Sequence, residues 1–402
     1  MYKIKIPLFR PAFTHEDGKA IADVLKSGHL TTGVRCAEFE KTFANRLNVK
    51  YAVSTSSCTT ALHLALFTAN VGSDDIVFLP SLTFIADIQV IEWLGAIPVL
   101  IDCDPNSFCI DPLKLRQTII SIKNGNYFPD SNFKLKRCRA IIAVDYAGQM
   151  ADYANLRKIC NEYDMILIED AAHALPSCWR EDTKSDWLYP GELSDVACFS
   201  FYPNKSITTG EGGMVVTNDK KWADRMKSVR SHGFEQESYK PGQIRQVIYP
   251  GLKCNLSDLS AALGLNQLLR LEDTYHARRE IAHEYTRILN CSPLIELPKE
   301  SPNRLHSWHL YVIKLVNTNI IDQRDLIIKK LYKLGIETSI HYYPIHLHQF
   351  YKEKLKYNSD LSVSESIYRS IISLPIFPSM TKKDIKFVAI NLLRVINEVS
   401  KI

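Results

Sequence analysis

A chain of 402 residues, 46% hydrophobic and 23% charged, has the material for a large buried core and, on length, for two or three domains. Its formal charge of +5 is small against 49 basic and 44 acidic residues, and no block of like charges suggests a nucleic-acid tail, so only a weak preference for anionic ligands follows. No apolar stretch reaches the roughly 18 residues of a membrane span, and the start Met1-Tyr-Lys-Ile-Lys-Ile-Pro7 lacks an apolar signal core, so the expectation is a cytoplasmic protein with no membrane span.

In chain order, short apolar strand candidates alternate with helical stretches. Tyr51–Thr55 precedes a helix over 60–70, Ile76–Leu79 a helix over 85–94, and Ile97–Ile101 follows. The rhythm continues through a strand at Arg139–Asp145, a helix at Tyr153–Tyr163, and strands at Met165–Glu169 and Val196–Ser200. Such alternation predicts an α/β fold with a mostly parallel sheet covered by helices. From Asn255 to about Asn290 the pattern turns helical behind a Ser257 N-cap, predicting one long linking helix. A strand at His309–Leu315, a helix opening near Asp322, a strand at Ile336–Ile340 and helices over 364–373 and 381–400 predict a smaller C-terminal α/β domain. The expected division is therefore 1–255 and 256–402. Polar stretches at 123–136 and 179–192 read as loops. Ten cysteines from Cys36 to Cys291 form no C-x-x-C pair and read as reduced core residues.

The chemistry concentrates at strand ends. Asp170 closes the apolar strand before Ala-Ala-His173, at the carboxyl edge where open α/β sheets bind ligands, although alone it reads equally as a helix N-cap. Lys205 follows another strand and precedes Thr-Thr-Gly-Glu-Gly-Gly213, where glycines allow tight turns near a bulky ligand. A lone lysine is usually a solvated surface charge, so its weight comes from its company. A lysine amine can condense with the aldehyde of pyridoxal 5'-phosphate, and a buried carboxylate can keep the pyridine nitrogen protonated. Ser56-Ser57-Cys58-Thr59-Thr60, where a strand turns into a helix, offers hydroxyls and helix N-terminal amides for a phosphate, with plain capping as the rival reading. Ser200 is a further phosphate donor, and the ring of Phe84 could stack on a pyridine or pack in the core.

Five separated motifs agree in order and approximate spacing: Ser57 to Leu66, Thr83-Phe84, Glu169-Asp-Ala-Ala-His173, Ser200 to Met214, and His232-Gly233. They resemble the DegT/DnrJ/EryC1/StrS family of nucleotide-sugar aminotransferases, and the similarity continues through Gly251–Ala262, Arg278-Arg279, His306–Tyr311 and Ser373–Phe377. The resemblance implies the type I (aspartate aminotransferase-like) fold of pyridoxal-phosphate enzymes. It implies that Lys205 binds the cofactor and shuttles the proton, that Asp170 pairs with the pyridinium, that His173 lies near the phenolic oxygen and that Phe84 stacks. Cys58, Thr59, Thr60 and Ser200 would line the phosphate end, completed by Lys253 or Asn255 across a homodimer with a shared active site. Arg230, His232, His309, His341, Tyr342 and His346 are the implied substrate contacts, and no metal is expected. The implied reaction carries an amino group from glutamate, leaving 2-oxoglutarate, to a keto sugar nucleotide, most simply a 4-keto-6-deoxyhexose, in polysaccharide or deoxyaminosugar biosynthesis. Rivals are a 3-keto sugar or 4-keto pentose substrate, a keto-sugar dehydratase, which in some relatives has histidine at the lysine position, and a regulator that holds the cofactor without turnover. Many relatives carry Gly at the Cys58 position and Asn and Arg at the Lys253 and Asn255 positions. The Lys-x-Asn version looks like the branch acting on 4-keto pentosyl nucleotides.

Overall fold

In the computed structural model, residues 4–127, 136–235, 244–301, 303–355 and 359–401 are described. Seven strands form the main sheet: β1 (Tyr51–Thr55), β2 (Asp75–Pro80), β3 (Ile97–Ile101), β4 (Arg137–Val144), β5 (Ile166–Asp170), β6 (Val196–Ser200) and β7 (Gly213–Thr217). Their order is β1-β7-β6-β5-β4-β2-β3. All neighbouring pairs are parallel except those made by β7, which runs antiparallel to both β1 and β6. Ile76, Val77, Phe78 and Leu79 of β2 are fully buried, as a strand covered on both faces requires. One face packs Val53, Leu62, Ile88 and Val215, and the other packs Phe78, Ile101, Leu115 and Leu156. Because six strands run the same way, their carboxyl ends open on one edge of the sheet. The turns after β1, β2, β5 and β6 all lie there, which brings Ser57, Phe84, Asp170 and Lys205 together.

The helix starts follow local capping chemistry. Ser57, Asp111, Asp152, Asp219 and Ser257 each accept a backbone N–H in the first turn of the helix they open. The expected single helix over 255–290 is instead two, Asp258–Leu269 and Leu271–Leu289, with Arg270 at the break. The guanidinium of Arg270 donates to Asp17 Oδ2 at 2.7 Å, and Asn266 and Gln267 also donate to Asp17. This buried acceptor ties the first helix to the N-terminal helix His15–Ser27. Packing partners change at the break: Ala261 and Leu268 join Phe39 and Phe201, whereas Ile281, Tyr285 and Leu289 join the C-terminal core.

That core surrounds a three-stranded sheet of β8 (Ile295–Glu296), β9 (Tyr311–Leu315) and β10 (Ile371–Leu374), in the order β10-β9-β8. Two local expectations are corrected. The helix near 364 ends at Ser370, and residues Ile371–Leu374 form β10, because the fully buried, β-branched Ile371 and Ile372 suit a pleated surface. Residues 336–340 form no strand, only single bridges from Ile336 to Ile6 and from Ser339 to Ser373. The stretch 179–192 contains a bridge between Trp179 and Leu188, and residues 128–135 of the other expected loop lie outside the described residues. All ten cysteines are free, and Cys291 is exposed, contrary to its reading as a core residue. Among the described residues, no helix is long and apolar enough to cross a membrane.

Candidate active site

A cleft of about 390 Å³ opens at the carboxyl edge of the main sheet. Lys205 enters it from the tight turn after β6, where its N–H reaches Tyr202 O at 2.9 Å. Phe201 N–H to Gly212 O (2.9 Å) and Thr209 N–H to Phe201 O (3.0 Å) clamp the two sides of that turn, and Gly210 supplies a left-handed φ of 80°. Burial brings the Lys205 ammonium down to about 8, and the opposing charge of Asp170 limits the fall. A fraction of the amine is therefore neutral and nucleophilic near neutral pH.

Asp170 ends β5, and its Oδ1 accepts from Ala172 N–H at 2.9 Å and lies 3.7 Å from the Cys58 thiol. No helix follows it, so helix capping does not account for this buried carboxylate. Burial raises its carboxyl, while the Ala172 N–H and the Lys205 charge oppose the rise.

Ser57, Cys58, Thr59 and Ser200 line one end of the cleft beside the N-terminus of the helix Cys58–Thr68. Thr60 does not line it: its hydroxyl donates to Ser57 O at 2.9 Å and serves the cap. The first residue of β7, Gly213, passes so close that a Cβ there would stand 2.5 Å from the Ser57 carbonyl. Glycine thus keeps the hydroxyl-bearing turn in place.

Phe84 is 54% exposed, so its ring is not core packing; it faces the cleft 5.9 Å from the Tyr342 ring. His173 Nδ1 accepts from Ala147 N–H at 3.2 Å, which puts its proton on Nε2, 3.0 Å from the Tyr342 hydroxyl. The ring of His309 packs on His173 at 4.3 Å. Burial, reinforced by Lys205 and neighbouring histidines, keeps His173 neutral, and burial lowers His341 to about 4. His341 and Tyr342 line the cleft, and His341 Nδ1 is held 2.8 Å from Ser373 Oγ.

Four expected contacts stand apart from the cleft. Arg230 is buried and spends its guanidinium on Glu40 Oε1 (2.5 Å), Ser54 O (2.7 Å) and Ser54 Oγ (3.0 Å), so it acts as a structural ion pair. His232 sits at a left-handed φ of 63° with its ring edge on Phe234. His309 is buried behind His173. His346 staples its turn to the end of β2 through Ser81 Oγ at 2.6 Å and also meets Glu365 at 3.2 Å. Lys253 and Asn255 contact each other, and Asn255 contacts Thr32, away from their own chain's cleft.

Sequence reasoning passed over Thr83, Tyr202, Asn204 and Glu211 in the lining and Asp87 just behind it. Asn204 adjoins the lysine in sequence, and a lone acid in the apolar run Ile85-Ala-Asp-Ile88 was a signal for Asp87. A second cavity of about 340 Å³, lined by Phe108, Gln149, Arg304 and His306, contains neither Lys205 nor Asp170.

The donor set fits pyridoxal 5'-phosphate. It offers amides and hydroxyls for a phosphate, a buried carboxylate for a ring nitrogen, an aromatic face and an amine of lowered basicity.

Comparison with known proteins agrees with this geometry. A model of the DegT/DnrJ/EryC1/StrS aminotransferase family matches residues 11–393. The spore coat polysaccharide biosynthesis protein SpsC of Bacillus subtilis is 32% identical, over 94% of this chain and 94% of its own. The structure of Helicobacter pylori PseC, an aminotransferase involved in pseudoaminic acid biosynthesis, superposes with a TM-score of 0.86 at 29% identity, covering 98% of this chain and 99% of that one. NtdA of Bacillus subtilis, solved with bound pyridoxamine phosphate, superposes with a TM-score of 0.80 at 26% identity, covering 96% and 83%.

Proposed function

This chain belongs to the DegT/DnrJ/EryC1/StrS aminotransferase family and is a pyridoxal-phosphate-dependent sugar aminotransferase; from that premise we propose that it moves an amino group from glutamate to the 4-keto group of a nucleotide-linked 6-deoxyhexose. The observation that carries the reading is the convergence of Lys205, Asp170, the hydroxyl-lined helix N-terminus and Phe84 on one cleft. When bound, the cofactor supplies an electron-withdrawing ring that stabilises negative charge on the carbon bearing the amine. Buried Asp170 would hold the ring nitrogen of that cofactor. Lys205, whose amine is partly neutral near neutral pH, would hold the cofactor and would be the group that takes and returns a proton in the cleft. Neutral His173, with its proton on Nε2, orients the Tyr342 hydroxyl over the cleft without adding a charge. Donor and acceptor use the same cleft in turn, so the kinetics are ping-pong.

Lys205 also separates this reading from the dehydratase, because an amine is available for covalent linkage. The polysaccharide and pseudoaminic acid roles of SpsC and PseC support a surface-polysaccharide pathway. Lys253 and Asn255, turned outward from their own cleft, are proposed to complete the phosphate site of a second copy in a homodimer. Incubation with glutamate and a panel of 3-keto and 4-keto sugar nucleotides, with the product resolved by NMR, tests the assignment. An amine at carbon 4 of a 6-deoxyhexose supports it, while amination only at carbon 3 or only of a pentose replaces the substrate.

A further inference from the structure

Asp87 is the second residue of the helix Ala86–Trp93 and is 1% exposed. Its Oδ2 accepts from Thr83 Oγ1 at 2.5 Å, whereas its Oδ1 is buried with no conventional donor among the described residues. What stands beside it is the carboxyl of Asp170, within hydrogen-bonding reach. Two buried carboxyl groups in contact resist being ionised together, so the pair holds one proton near neutral pH.

The surroundings decide which member holds it. Asp170 has the Ala172 N–H from the end of its own strand, the Cys58 thiol from the helix Cys58–Thr68, and the Lys205 ammonium from the turn after β6. Among the described residues Asp87 has only the Thr83 hydroxyl as a donor, and the Cys198 thiol on β6 is neutral. Charge therefore settles on Asp170. Burial, with the charge of Asp170 alongside, accordingly holds Asp87 well above the ordinary carboxylate range.

We propose that Asp87 is a positioning residue, a neutral carboxylic acid whose Oδ1 proton is donated to Asp170, keeping that carboxylate charged and aimed at the place of the cofactor's ring nitrogen. The inference rests on the assignment of Asp170 to that nitrogen. No bond to the cofactor is made by Asp87; Thr83 fixes its rotamer, and donation to Asp170 gives its otherwise unpartnered Oδ1 a role.

The test compares wild type, Asp87→Asn, Asp87→Leu and Asp170→Asn, first confirming by circular dichroism that each is folded. Infrared difference spectra of cofactor-free protein near neutral pH should show a protonated-carboxyl C=O stretch that Asp87→Asn removes. The second buried carboxyl pair, Asp145 with Glu169, contributes equally to both samples and cancels. A difference spectrum without that band overturns the proposal. Equilibrium dialysis with pyridoxamine phosphate gives the second readout. Asp87→Asn, which keeps an N–H donor, should bind within about threefold of wild type, while Asp87→Leu should bind about tenfold to a hundredfold more weakly. Equal weakening in both variants would reduce Asp87 to a packing residue and overturn the positioning role. If Asp170→Asn binds pyridoxamine phosphate as wild type does, the assignment of Asp170 falls and the positioning role with it; the infrared band, read without cofactor, keeps that failure separate from a misplaced proton.

Discussion

Arg230→Met distinguishes a structural arginine from a substrate-binding one. The guanidinium donates to Glu40 and twice to Ser54, and the Glu40 side chain is only 11% exposed, so removing the cation strands a carboxylate in the interior. Breaking one partner of a buried pair costs about 3–5 kcal/mol. Here Glu40 keeps the Ser54 N–H (2.9 Å) and hydroxyl (2.8 Å), which places the loss near the lower end, about 3 kcal/mol. Guanidinium unfolding followed by circular dichroism should show a lower midpoint with an unchanged slope. The double variant Glu40→Gln/Arg230→Met should recover part of the loss, since the stranded charge is gone. The KM for the sugar nucleotide should stay at the wild-type value. An unchanged midpoint together with a raised KM would refute the reasoning and return Arg230 to the substrate.

Three further outcomes follow from the geometry. In cofactor-free enzyme, competitive labelling with acetic anhydride should show Lys205 half-reactive near pH 8, against 10.5 for an ordinary lysine; because the folded value is depressed, the unfolded chain binds the extra proton between these values, so this group makes stability rise with pH across that window. Gly213→Ala should push its new Cβ against the Ser57 carbonyl at 2.5 Å and displace the cleft-lining turn at Ser57, weakening cofactor binding in equilibrium dialysis by about tenfold, the equivalent of 1–2 kcal/mol of overpacking. Mixing inactive Lys205→Ala with inactive Lys253→Ala should restore about a quarter of wild-type activity if each site draws on two copies of the chain, because only mixed dimers contain one intact site; no recovery would place Lys253 outside the partner's site.

Much of this molecule was legible in its residues. Lys205, Asp170 and Ser57 announce themselves because Asp170 ends an apolar strand and the other two closely follow one, and a parallel sheet puts such ends on one edge. Glycines around Lys205 marked the tight turn that aims it. Direction within a turn was not readable: Thr59 faces the cleft while its neighbour Thr60 serves the cap. Nor was the destination of a long side chain, since Arg230 meets Glu40, 190 residues away, only once the helix Val34–Arg46 packs beside β1. Asp87 stayed hidden for the same reason, as its meaning depends on a carboxyl contributed from the end of another strand. The break at Arg270 has no glycine or proline to signal it and follows from a tertiary partner, Asp17.

The central claim, that Lys205 in this cleft runs glutamate-dependent amino transfer, is tested most directly by near-ultraviolet and visible spectra of wild type and Lys205→Ala before and after glutamate. Wild type should show the yellow absorbance of a lysine-bound cofactor, bleached on adding glutamate and restored by 2-oxoglutarate, and the variant should lack that cycle. Wild-type enzyme whose bound cofactor ignores glutamate, or which takes up no cofactor on reconstitution, would contradict it.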